Sequence, residues 1–182
     1  IQNFASEFTA VHDLNHTNIL KPLNYDICKG IPYLVLQYCE NGSAKGMIGQ
    51  AEEEDVIKLL HDVAAGLEYL HEHDIVHQDI KPDNILLDDN CNFLVTDFGI
   101  SVVSTDDVLA TLGSAGTTAY MAPERFDGTP AVKASDIWSL GATAFELATG
   151  DVPFGDYGGM VQASGEAIPL FPESYQPEVK DM

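Results

Sequence analysis

The sequence predicts an α+β fold, on three observations. Between residues 52 and 73, Val56, Leu59, Leu60, Val63, Leu67 and Leu70 recur at the spacing that puts apolar side chains on one face of a helix. Asp136-Ile137-Trp138-Ser139-Leu140-Gly141 opens a second apolar helix, continued by Ala144-Phe145-Glu146-Leu147. Before and between them stand apolar runs of strand length, Tyr33-Leu34-Val35-Leu36, Ile85-Leu86-Leu87 and Phe93-Leu94-Val95.

Taken in order, Phe4, Phe8, Val11 and Leu14 give the first residues a helical apolar stripe. The run Tyr33-Leu34-Val35-Leu36 reads as a buried strand that leads into the polar, glycine-containing Gln37-Tyr38-Cys39-Glu40-Asn41-Gly42-Ser43. In the long helix, Glu52-Glu53-Glu54-Asp55 occupy the first turn, where the macrodipole favours anions; capping explains them better than metal binding. His71 and His73 at its far end are too close together for the His-x-x-x-His zinc spacing and read as helix-end histidines. The turn Asp88-Asp89-Asn90 joins two apolar runs into a hairpin. Residues 100–115, rich in Ser, Thr, Gly and Asp, read as a loop, and the Gly- and Pro-containing segment 151–177 as a long irregular tail. Trp138 reads as core.

At 182 residues, 45% of them hydrophobic, the chain can bury one substantial core, about that of a single domain. No apolar run approaches the roughly 18 residues of a membrane span, and Ile1 opens no signal-peptide pattern. Cys28, Cys39 and Cys91 form no Cys-x-x-Cys pair, which suits reduced thiols in a cytoplasmic setting. Eight Lys and Arg against 29 Asp and Glu give a formal net charge of -21. That balance disfavours nucleic acid and anionic membrane surfaces, which need a cationic footprint, and favours basic peptides; for the total charge, solubility is the simpler reading.

The residues that carry chemistry are His77-Gln78-Asp79-Ile80-Lys81-Pro82-Asp83-Asn84, then Asp97-Phe98-Gly99, then Gly116-Thr117-Thr118-Ala119-Tyr120-Met121-Ala122-Pro123-Glu124. Singly each is an ordinary turn or loop; in this order, with a hairpin between the first two, they resemble the catalytic loop, metal-binding turn and substrate platform of protein kinases, of the serine/threonine type. The fold this implies is protein-kinase-like: a truncated small N-lobe, residues 1–38, with a C-helix and two or so strands, and a mostly helical C-lobe, residues 39–182, incomplete at its end.

The resemblance implies ATP and Mg²⁺ as cofactors and a protein substrate. Asp79 would orient the attacking hydroxyl, Lys81 would set a cation beside the transferred phosphate, and Thr117 would hydrogen-bond towards both. Asn84 and Asp97 would hold Mg²⁺, a hard cation suited to oxygen ligands. His77 would support the loop rather than act as a base, and Asp136 would accept backbone hydrogen bonds from it. Glu7 would pair with the ATP-binding lysine. Leu36 would be the gatekeeper residue, Gln37, Cys39 and Ser43 would belong to the hinge that meets the nucleotide, and Leu86 would pack beneath adenine. Val11, Pro22 or Leu23, His77 and Phe98 would stack as an internal spine.

Two departures from the family pattern shape the expectations. No Gly-x-Gly-x-x-Gly occurs and the pattern begins at the C-helix, so the chain reads as a fragment without the glycine-rich loop or the ATP lysine and is expected to be inactive alone; a basic partner for Glu124 is also missing. Gln78 stands where many kinases carry arginine, and Arg125 is the only arginine, so phosphorylation at Ser101, Ser104, Thr105, Thr111 or Ser114 is not expected to be an obligatory switch. Asp83 and Glu146 lie where basophilic relatives place acids, which implies basic residues before the target Ser or Thr. Two rival readings are a small-molecule phosphotransferase, which would not carry the platform ending in Ala122-Pro123-Glu124, and a pseudokinase acting as a regulatory binding module.

Overall fold

The structure, a computed structural model, describes residues 14–97, 118–173 and 175. The expectations for Phe4, Glu7, Phe8, Val11, Phe98, Thr117 and the loop 100–115 lie outside those residues.

Strands β1 (Pro22–Cys28) and β2 (Ile31–Leu36) form an antiparallel hairpin in which Cys28 pairs with Ile31. Its two-residue turn, Lys29-Gly30, has φ of 51° and 81°, the left-handed pair that matches the twist of a tight hairpin. The expectation that Tyr33-Leu34-Val35-Leu36 is a buried strand is half corrected: it is a strand, but Val35 is 40% and Leu36 39% exposed, and Tyr33 is exposed too. Among the described residues this sheet has two strands, and neither apolar cluster includes a β2 side chain.

Helix α1 (Glu53–Glu72) follows the apolar period, and Val56, Leu59, Leu60, Val63, Leu67 and Leu70 are all buried. The Asp55 carboxylate accepts the Glu52 N–H at 3.0 Å, satisfying one of the donors a helix start leaves open. Strands β3 (Ile85–Leu87) and β4 (Phe93–Val95) pair antiparallel as the sequence implies. Asp88 makes their turn, its Oδ1 accepting the N–H groups of Asn90 (2.9 Å) and Asn92 (2.8 Å). β4 is pinned to α1 by Asp62, which accepts from Lys58 Nζ at 2.6 Å and from Phe93 N–H at 3.0 Å. Burial pushes the Asp62 carboxyl up, but those hydrogen bonds outweigh it and hold the pKa below its ordinary value.

The link before β1 docks on the same strand: Val95 N–H donates to Asn18 O, and Leu20 N–H to Val95 O, both at 2.9 Å. Gly66 permits this approach, because a Cβ there would sit 2.8 Å from Asn18 O. Helix α2 (Lys133–Thr149) packs across α1 and ends at Gly150, whose φ of 88° suits glycine. It begins three residues before the predicted Asp136, because Val132 N–H finds the Ser135 hydroxyl at 3.2 Å. The expected irregular tail contains a 3₁₀ turn (Gly155–Tyr157) and a short helix α3 (Gly159–Ala163).

Candidate active site

After α1 the chain turns at Asp74 (φ 59°) and runs through residues 75–81 into a single 3₁₀ turn, Pro82–Asn84. What fixes this loop is Asp136, 1% exposed near the start of α2. Its Oδ2 accepts the His77 N–H at 2.9 Å and its Oδ1 the Gln78 N–H at 2.8 Å. His71 Nε2 lies 2.8 Å from Oδ2, so that nitrogen carries the proton facing the carboxylate. Gln78 is thereby held at a φ of 73°, a conformation costly for a residue with a side chain and kept only where its surroundings over-determine it.

His77 is locked in one form. Nε2 lies 2.8 Å from Thr96 O and must donate, while Nδ1 accepts the Asp79 N–H at 3.2 Å. Adding a second proton would set N–H against N–H, and burial pushes the imidazole pKa down, with the Thr96 contact and nearby carboxylates opposing only in part. This ring is a brace, not a base.

Asp79 is the point of convergence. Lys81 Nζ donates to its Oδ2 at 2.7 Å, and Asn84 Nδ2 donates to the same oxygen and to Asp79 O, both at 2.9 Å. With Oδ2 so engaged, Oδ1 is the oxygen that remains to accept a proton or orient a hydroxyl. With its nitrogen committed twice, Asn84 has its amide oxygen left over, an atom of the kind that suits a hard cation. Asp97, exposed and at a φ of 59°, follows Thr96, whose N–H bonds Asn84 O at 3.0 Å and whose carbonyl holds His77. The two expected metal ligands thus hang from one backbone ladder.

Of the expected nucleotide-side residues, Cys39 is buried against Leu20 and Leu94 with Leu86 packed on them, and Ser43 bridges Leu86 antiparallel. Burial, then Asp88 and Asp89, raises the Cys39 thiol pKa, so it is a packing residue rather than a nucleophile. Leu36 and Gln37 are exposed and lie outside that cluster.

On the far side of the loop, Tyr120 O–H donates to Glu146 Oε2 at 2.6 Å, Ser139 Oγ donates to Tyr120 O at 2.8 Å, and Ser135 Oγ donates to Glu124 at 2.7 Å. Burial, then the Glu146 contact, raises the Tyr120 pKa far above its ordinary value, so the phenol stays protonated. Burial also raises that of Glu146, with Asp83 adding and Tyr120 and Lys45 opposing. Lys45 Nζ reaches Asp83 Oδ1 at 2.6 Å. Arg125 is buried and donates to Thr129 O at 2.9 Å. The contacts of His71, Lys45, Thr96, Tyr120 and Ser139 escaped the sequence reading, since their partners lie 19 to 65 residues away and no local pattern marks the pairs.

A loop carboxylate bonded by a lysine and an asparagine, braced by buried Asp136 of α2 and followed across a hairpin by a second carboxylate, is the arrangement that the resemblance to protein kinases implies. The sequence profile of the protein kinase domain matches residues 1–175, and the chain belongs to that family. It is 39% identical over 154 residues to the serine/threonine-protein kinase RUNKEL of Arabidopsis thaliana, covering 81% of this chain and 11% of that protein. It is 35% identical over 158 residues to the serine/threonine-protein kinase PrkC of Bacillus subtilis, covering 85% and 24%. Against CBL-interacting serine/threonine-protein kinase 2 of Arabidopsis thaliana it is 33% identical over 192 residues, covering 98% and 41%. The chain therefore spans less than half the length of these curated relatives.

Proposed function

We propose that the protein to which this chain belongs transfers the γ-phosphoryl group of ATP to serine or threonine hydroxyls of protein substrates. The observation that carries this is the convergence of Lys81 Nζ and Asn84 Nδ2 on Asp79 Oδ2, at 2.7 and 2.9 Å. It leaves Asp79 Oδ1 to orient the attacking hydroxyl and accept its proton, while Lys81 offers a cation where charge gathers on the transferred group. Asn84 and Asp97 would hold Mg²⁺, which when bound neutralises phosphate charge. Cys39, Ser43 and Leu86 would meet the nucleotide base and ribose. On this reading residues 1–38 belong to the nucleotide-covering lobe, with Glu7 facing the ATP lysine, and 39–182 to the lobe that carries the catalytic loop.

Substrates with basic residues near the target hydroxyl fit the acidic pair Asp83 and Glu146, which share Lys45 as their counter-charge. The test is radiolabelled γ-phosphate transfer by the intact protein beside its Asp79→Asn variant. The expected result is transfer to Ser or Thr that falls by at least about 100-fold in the variant. Equal rates in the two would reject the reading.

A further inference from the structure

We propose that the turn Asp156-Tyr157-Gly158-Gly159 is a positioning element for the peptide-binding segment 118–123, acting through two glycines whose lack of a side chain lets two backbones touch. The proposal rests on the kinase reading above, in which that segment faces the protein substrate.

One side of the segment is held by α2, through Ser139 to Tyr120 O at 2.8 Å. The other side is held by the turn: Thr118 Oγ1 donates to Asp156 O at 2.6 Å, and Gly159 N–H donates to Met121 O at 3.0 Å. A Cβ on Gly159 would fall 2.7 Å from both Met121 O and Pro123 Cδ, and nearer still to Pro123 N. On Gly158 it would fall 2.8 Å from Ala119 O, with Thr118 O closer. These are backbone and ring atoms, which cannot swing aside as the end of a flexible side chain can. Gly158 also has φ 48° and ψ -131°, a region that residues with a Cβ avoid. Gly155, a few residues earlier, makes the contrast: its φ is 63°, yet a Cβ there would meet nothing within 4 Å. Its glycine serves a turn, whereas those at 158 and 159 set the distance between two segments.

A methyl group at position 159 must therefore push residues 121–123 away from the turn. Displacing a substrate-positioning group by about 1 Å costs on the order of 100-fold where geometry governs the rate. Among the described residues, Asp79, Asn84 and Asp97 are tied to Asp136 and Thr96 through the loop and make no hydrogen bond to the turn, so the nucleotide side does not hang from it. The signature is thus a peptide KM that rises while ATP binding stays put. A merely structural role would lower melting temperature, ATP affinity and turnover together.

The experiment compares the intact wild-type protein with Gly159→Ala, Thr118→Val and Gly141→Ala, a site in α2 where a Cβ would meet nothing within 4 Å, measuring steady-state transfer to a peptide substrate and the affinity for a fluorescent ATP analogue. We expect peptide KM to rise about tenfold or more in Gly159→Ala and a few-fold in Thr118→Val, with ATP affinity within about twofold and Gly141→Ala near wild type throughout. Thr118→Val adds no bulk, so it carries the same comparison if Gly159→Ala fails to fold. Peptide KM unchanged in the folded variants, an equal rise in Gly141→Ala, or ATP affinity falling in step would each overturn the proposal. A wild type no faster than Asp79→Asn would remove the kinase reading and this proposal with it, a result distinct from an active protein whose peptide KM ignores the turn.

Discussion

The candidate catalytic loop, residues 77–84, and the β1–β2 hairpin are both short segments, but different contacts hold them. In the loop the N–H groups of His77, Gln78 and Asp79 all go to side chains, two of them to one carboxylate 58 or 59 residues further along. In the hairpin the pairing is strand to strand, and its apolar side chains at Leu23, Ile31, Tyr33 and Val35 face outward. The loop's shape is therefore set by a distant, buried group, whereas the hairpin's is set by its own turn and register. The first arrangement concentrates sensitivity in single residues; the second spreads it thin.

The largest effect is expected at Asp136. Asp136→Ala strands the His77 and Gln78 N–H groups and His71 Nε2, which now share a carboxylate that is 1% exposed. Breaking a buried charged network from one side costs roughly 3–5 kcal/mol. Denaturant unfolding should show that loss, and phosphoryl transfer should collapse with it. A loss under about 1 kcal/mol would mean that the loop holds itself.

Next comes Gly66, where α1 meets the segment that links hairpin to core. Gly66→Ala places a methyl 2.8 Å from Asn18 O and 3.3 Å from Val95 Cγ2. Overpacking of this kind costs about 1–3 kcal/mol despite the gain in helix propensity. Thermal unfolding of the variant reads the balance: a rise in Tm would show that the helix can shift freely from β4.

His77 supplies a pH dependence. Its folded pKa lies below the unfolded one, because burial disfavours the imidazolium. Its contribution is fully present above the unfolded value, near 6.5, and is lost as pH falls below it, by about 1.4 kcal/mol per pH unit while only the unfolded chain takes the proton. Stability should therefore fall as the pH drops from 6.5 towards 5.5. Denaturant midpoints for wild type and His77→Phe across this range should show the slope in the first and a shallower one in the second.

How legible each region is follows from the range of its contacts. The α1 stripe, the β3–β4 hairpin and the loop motif can be read because periodicity, turn residues and spacing are local, and Leu59, Ile85 and Val95 are buried as their patterns require. Asp79, Lys81 and Asn84 lie within one turn of chain, so sequence spacing alone brings them together. His71 is different: helix-end position explains its location, but only the crossing of α1 by α2 brings Asp136 to it. β1 carries Asn24 and Asp26 among its apolar residues and shows no clean alternation, and the exposure of β2 depends on which strands lie beside it, which its own apolar run does not encode.

The smallest effect is expected in the hairpin, and a matched pair of substitutions measures it. Ile31 is 70% exposed in β2, and Ile85, in β3 just after the catalytic loop, is fully buried at 0%. Threonine keeps the β-branch and the strand preference at both sites, so the difference isolates burial. At Ile31 the new hydroxyl meets water, and the change should stay within about 0.5 kcal/mol. At Ile85 the same change removes a packed methyl and buries a hydroxyl, and should cost at least about 1.5 kcal/mol. Chemical denaturation of Ile31→Thr beside Ile85→Thr gives both numbers from one assay. Equal losses would mean that the outward face of β2 is covered in solution, and the hairpin would then owe its stability to side-chain burial, as the catalytic loop's neighbours do.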